Sequence, residues 1–78
     1  MTELNALRLK DYLGHMRLAI SRIKEYVDGH SEVEFLRNTL LQDAVIRNIE
    51  ILGEASNNIM KRFPEFSTEH HEIPWEAV

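Results

Sequence analysis

The stretch from Leu40 to Phe63 most constrains this chain, because it reads as a helix too apolar for a single neighbour. Leu41, Ala44, Val45, Ile49, Leu52, Ala55, Ile59 and Phe63 recur at spacings of three and four, which is one helical stripe. Ile46, Ile51 and Met60 fall outside that stripe, so more than half of the circumference is apolar. A helix of that kind expects partners on several sides. Thr39-Leu40-Leu41-Gln42 matches a capping box at its start. Pro64 closes it, since a proline disfavours helix at the residue before it.

Only one other long helix is on offer. It is predicted from about Asn5, a good capping residue, to Asp28, with Gly29 ending it in the left-handed conformation that glycine adopts cheaply. Its apolar set runs Leu9, Tyr12, Leu13, Met16, Ala19, Ile20, Ile23, Tyr26 and Val27, again at spacings of three and four. A short helix over about 31–37 follows, opened by the capping box Ser31-Glu32-Val33-Glu34. Glu65 to Glu72 reads as a polar connector. A further helix then begins at Pro74, with proline at its first position, Trp75 seeking burial and Glu76 at the positive end of the dipole. One turn does not sustain itself in water. Either the tail folds back on the body, or another helix belongs after it.

These elements predict an all-α, up-and-down antiparallel bundle in a single domain, residues 1–78, with too few helices to cover its own apolar surface. A chain of 78 residues buries only about 60% of its unfolded surface. The net charge of −4 argues against non-specific binding of nucleic acid by the whole surface, while leaving room for a local basic cleft. The absence of cysteine excludes disulfides, a thiol nucleophile and a thiolate metal site. The expected setting is the cytoplasm. No apolar run is long enough to span a membrane, and Met1-Thr2-Glu3-Leu4-Asn5 lacks the features of a signal peptide.

Several constellations carry alternatives. Lys10, Arg17 and Lys24 are seven apart and line one edge of the first helix's stripe; Arg8, His15 and Arg22 line the other. They could track phosphates, but long stems lying along a core rim explain them more simply. On the second long helix Asp43, Arg47, Glu50, Glu54 and Lys61 share the outer face, which by default is solvated. Arg47 and Glu54 are the candidates there for flanking a site. Asn48 interrupts the apolar stripe, and a buried amide needs partners, so a bond to a neighbouring helix is expected. Gly53 costs about 1 kcal/mol relative to alanine in mid-helix, which close approach of another backbone would explain. Ile46, Ile51, Met60 and Trp75 complete the expected packing and interface set. His70-His71 lacks a third ligand at a metal-binding spacing, so no metal or other cofactor is expected.

The run Ala44-Val45, Arg47-Asn48, Glu50, Gly53-Glu54-Ala55, followed by Ile73-Pro74-Trp75, resembles the HepT-like branch of the HEPN superfamily. Tyr12-Leu13-Gly14-His15-Met16 is similar to that family's opening segment. The resemblance implies a dimeric helical bundle, a toxin that cleaves RNA without metal. Its implied partner is a small nucleotidyltransferase antitoxin of the MntA kind. It places the chemistry on an Arg followed four to six residues later by His, on the helix after Pro-Trp. No such pair stands there before Val78, and Arg8 with His15 lies on the wrong helix. The expectation is therefore an N-terminal portion with no catalytic residue of its own, cut off before the motif. The alternative is a non-catalytic helical protein, acting through self-association or as the partner subunit of a nucleotidyltransferase.

Overall fold

The chain reverses direction between Asp28 and Glu32, and that reversal sets the architecture. The computed structural model describes residues 3–77, and every regular element among them is helical. Helix α1 spans Glu3–Asp28, α2 Glu32–Arg37, α3 Thr39–Arg62 and α4 Pro64–Glu69, and Trp75–Ala77 forms one 3₁₀ turn. The helix expected from Asn5 begins before it, so Asn5 lies inside the first turn and does not cap it. Nor does Gly29 end α1 in a left-handed conformation, for no described residue has positive φ. Its N–H stays bonded to the Glu25 carbonyl at 3.2 Å. His30 Nδ1 donates to the Tyr26 carbonyl at 2.8 Å, satisfying an acceptor that the helix end leaves open.

Side-chain caps fix the elbow. Ser31 Oγ accepts the Glu34 N–H at 3.2 Å and starts α2. The cap of α3 is one residue earlier than the sequence pattern suggested. Asn38 Oδ1 accepts the Leu41 N–H at 3.0 Å, and Thr39 is already helical. Gln42, freed from a capping box, donates Nε2 to the carbonyls of Phe35 at 2.9 Å and Leu36 at 3.0 Å. That ties α3 to the end of α2.

Helices α1 and α3 lie antiparallel, and their facing stripes form the core. Leu9, Met16, Ala55, Ile59, Phe63 and Trp75 make one buried cluster, with Tyr12, Leu13, Leu52 and Met60 packed against it. Ile49, counted in the inner stripe from spacing, is instead exposed, as is Ile46. The stretch read as a polar connector is helical through Glu69. Phe66 is its one large apolar side chain, and it meets Trp75 edge-on with ring centroids 6.1 Å apart. Trp75 Nε1–H donates to the carbonyls of Ser67 and His70, both at 3.1 Å. Its own carbonyl accepts Ser56 Oγ–H at 2.7 Å. The tail therefore folds back and docks.

The result is one layer thick. Its extents are 47 × 21 × 16 Å, and its radius of gyration is 14.8 Å, against about 11.5 Å for a compact chain of this length. No helix among the described residues is long and apolar enough to cross a membrane.

Candidate functional site

The antiparallel register brings the two basic and polar signals of the sequence together. Asn5 shares a cavity with Arg62, and Ala19 shares one with Asn48. Both pairs sum to 67, so residue i of α1 sits level with residue 67−i of α3. At mid-length this places Asn48 beneath a cleft of about 230 Å³ lined by His15, Leu18, Ala19, Arg22 and Ile51.

Asn48 is the unusual residue in that cleft. It is only 6% exposed. Nδ2 donates to the Ala44 carbonyl of its own helix at 2.8 Å, so the expected bond to a neighbouring helix is not made among the described residues. Oδ1 is buried without any hydrogen-bond partner there. An unsatisfied buried acceptor costs about 1–3 kcal/mol, and such a group in a native fold calls for an external explanation. His15 and Arg22 stand exposed at the mouth. Arg22 and His15 can hold a phosphate, and the unpaired amide oxygen can accept a hydrogen bond from a donor group beside it. They do not by themselves make a nucleophile.

The other candidates distribute unevenly. Ile51 lines the cleft and is half-buried. Arg47 and Glu54 are exposed and lie outside it. Gly53 is half-buried. Met60 and Trp75 border a separate cavity of about 470 Å³ between α3, α4 and the tail, with Ser67, His71 and Glu76. The row Lys10, Arg17, Lys24 is exposed, as is Arg8. Near the tail, His70 Nδ1 and Glu72 Oε1 are 3.0 Å apart. The Glu72 carboxyl is held below the usual carboxylate range, first by a hydrogen bond from its own backbone and then by His70. Among the described residues no three His, Asp or Glu side chains converge on a point that could hold a metal ion. His15 and Arg22 were visible in the sequence as a rim. What joins them to Asn48 is the helix register, which two capped ends and a short elbow already imply.

The family profile described as Ribonuclease HepT-like matches residues 16–78. A Thermococcus cleftensis protein named "Probable ribonuclease HepT" is 44% identical over 69 residues, covering 88% of this chain and 60% of that protein. A Methanocaldococcus jannaschii protein, named as a gamma-glutamylcyclotransferase and candidate RNase, is 43% identical over 67 residues. There the match covers 86% of this chain and 29% of the relative. A candidate RNase of Caldanaerobacter subterraneus subsp. tengcongensis is 33% identical over 69 residues, covering 88% of this chain and 59% of that protein. The chain thus spans less than two thirds of the length of each of these relatives. No solved structure matches it significantly.

Proposed function

Because the chain belongs to the ribonuclease HepT-like family, we propose that it is part of an RNA-cleaving toxin held in check by a nucleotidyltransferase antitoxin. The observation that carries this reading is the extent of the match, which takes in the second half of α1, all of α3 with Asn48, and the docked Trp75. On this reading the catalytic Arg and His belong to a helix that follows the Trp75 turn, and none of the 78 residues does the chemistry. His would move protons for attack by the RNA 2′-hydroxyl, and Arg would stabilise charge at phosphorus. The Asn48 cleft, with His15 and Arg22, would touch the RNA backbone beside that chemistry. Arg47 and Glu54 would flank it.

The test is RNA cleavage in EDTA. The 78-residue chain is expected to leave RNA intact, and the longer gene product carrying the Arg…His helix is expected to cut it. Cleavage by the 78 residues alone would overturn the assignment of chemistry to that helix. Growth arrest on induction, relieved by co-expressing a neighbouring nucleotidyltransferase, tests the toxin role.

A second reading has its own support. Ile20, Ile46 and Ile49 are each about half exposed, and apolar surface of that kind marks interaction sites. A non-catalytic helical protein that self-associates, or that serves a nucleotidyltransferase as partner subunit, would use it. Failure of the longer product to cut RNA, with tight binding to the nucleotidyltransferase retained, would favour this reading.

A further inference from the structure

The Asn48 cleft contains an acceptor that no described residue answers, and its chemistry defines a ligand. The amide cannot be turned round, since exchanging its ends would set oxygen against the Ala44 carbonyl that Nδ2 bonds at 2.8 Å. Oδ1 is therefore the free polar atom of a cleft-lining side chain that is only 6% exposed. An amide oxygen accepts and never donates, so only a hydroxyl or an N–H answers it. Water answers it poorly. At the floor of the cleft it would meet the apolar walls of Leu18, Ala19 and Ile51, whereas a held water makes about two to four hydrogen bonds. Oδ1 is closed to solvent in the free protein. The rim side chains His15, Leu18 and Arg22 are exposed, and exposed side chains change rotamer within picoseconds to nanoseconds. A small donor can therefore enter.

The mouth of the cleft specifies the rest of the ligand. Arg22 and His15 line it and no carboxylate does, which suits a phosphate. No Phe, Tyr or Trp lines it, so the cleft offers no platform on which a base stacks. Its volume of about 230 Å³ lies below the roughly 300–1,000 Å³ of pockets that enclose a drug-sized molecule. That is room for a sugar with its phosphate, the base remaining outside. We propose that the cleft holds a ribose–phosphate unit of RNA, its 2′-hydroxyl donating to Asn48 Oδ1 and the adjoining phosphate resting on Arg22 and His15. Asn48 is then the residue that tells RNA from DNA, which has no donor at that position. The contact is binding alone, and no bond forms or breaks in it. Arg8 is exposed on the same edge of α1, about 10 Å from His15 along the helix, and extends the phosphate track beyond the cleft. This inference rests on the RNA-cleaving function proposed above and gives that function a subsite that selects the sugar.

Fluorescence anisotropy of the 78-residue chain tests it, with one single-stranded sequence made as RNA, as DNA and as 2′-fluoro RNA. RNA is expected to bind about three- to tenfold more tightly than either of the others, as one added hydrogen bond would give. Fluorine keeps the size and pucker of the ribose and removes the donor, so that probe separates the hydrogen bond from sugar shape. Asn48→Leu is expected to bring RNA down to the affinity of DNA without changing the dependence on salt. Arg22→Ala is expected to weaken RNA and DNA alike, and to lower the slope of log affinity against log salt by about 0.7. Circular dichroism checks that both variants stay helical, and the three probes on the unaltered chain decide the matter even where a variant does not fold. Equal affinity for the three probes, a preference for RNA that survives Asn48→Leu, or no binding of RNA would each overturn the subsite. The RNA-cleaving reading is judged separately, by the longer product in EDTA. A longer product that cuts RNA, beside a 78-residue chain indifferent to the 2′-hydroxyl, would remove the subsite and spare that reading.

Discussion

Asn48 and Ser56 are the two buried polar side chains of α3, and they face opposite fates. Ser56 is fully satisfied, its hydroxyl bonded to the Trp75 carbonyl at 2.7 Å. Ser56→Ala strands that carbonyl in the core, so a loss of about 1–3 kcal/mol is expected in urea unfolding. Asn48 has the reverse prospect, because its Oδ1 is already stranded. Asn48→Leu keeps the branched shape, extends into the adjoining cleft and removes the orphan, so stability is expected to hold or rise by up to about 1 kcal/mol. For a chain this small that is about 4–8 °C in the melting midpoint, read by circular dichroism. If the cleft touches RNA as proposed, the same variant of the longer product binds RNA less well. A gain in stability with a loss of binding marks a residue kept for its site. The sequence showed that Asn48 was out of place in an apolar stripe. It could not show which atom went unpaired, because the Ala44 carbonyl of the same helix satisfies only the amide nitrogen.

At the scale of elements, apolar periodicity marks the long helices and a capping box marks the short α2, while nothing in the local pattern marks α4. Helices α1 and α3 announce themselves because six turns of apolar periodicity leave no other conformation that buries the stripe. Helix α4 has six residues and one large apolar side chain, Phe66, so its helicity comes from docking against Trp75 and not from local pattern. The caps fall between these cases. Asn38 caps α3 one residue before the Thr39 that pattern favoured, and both residue types are good caps. Asn38→Ala is expected to cost about 0.5–2 kcal/mol, while Thr39→Ala costs less. Thermal melts of the two variants decide which residue holds the helix start. The tail has a pH dependence of its own. Glu72 titrates below its ordinary value, so its contribution is complete above that value and is lost as pH falls through the lowered one. The tail is expected to loosen in that acid window. The fluorescence of Trp75 reports it, and Glu72→Gln removes that component of the acid response.

As a whole molecule the chain is a hairpin whose best-packed end lies far from its elbow. Residues that face each other near the start of α3 are about 15 apart in sequence, whereas Leu9 and Ile59, which share the buried cluster, are 50 apart. Bringing the distant pair together from an open chain costs about 1 kcal/mol more in loop entropy. The route of assembly is therefore expected to begin at the elbow and zip outward, with the Trp75 cluster closing last. Chevron kinetics can resolve this order. Leu41→Ala is expected to slow folding, and Ile59→Val to speed unfolding while leaving the folding rate nearly unchanged. The tightest part of the structure would then govern how long the fold lasts, and the loosest would govern how fast it arrives.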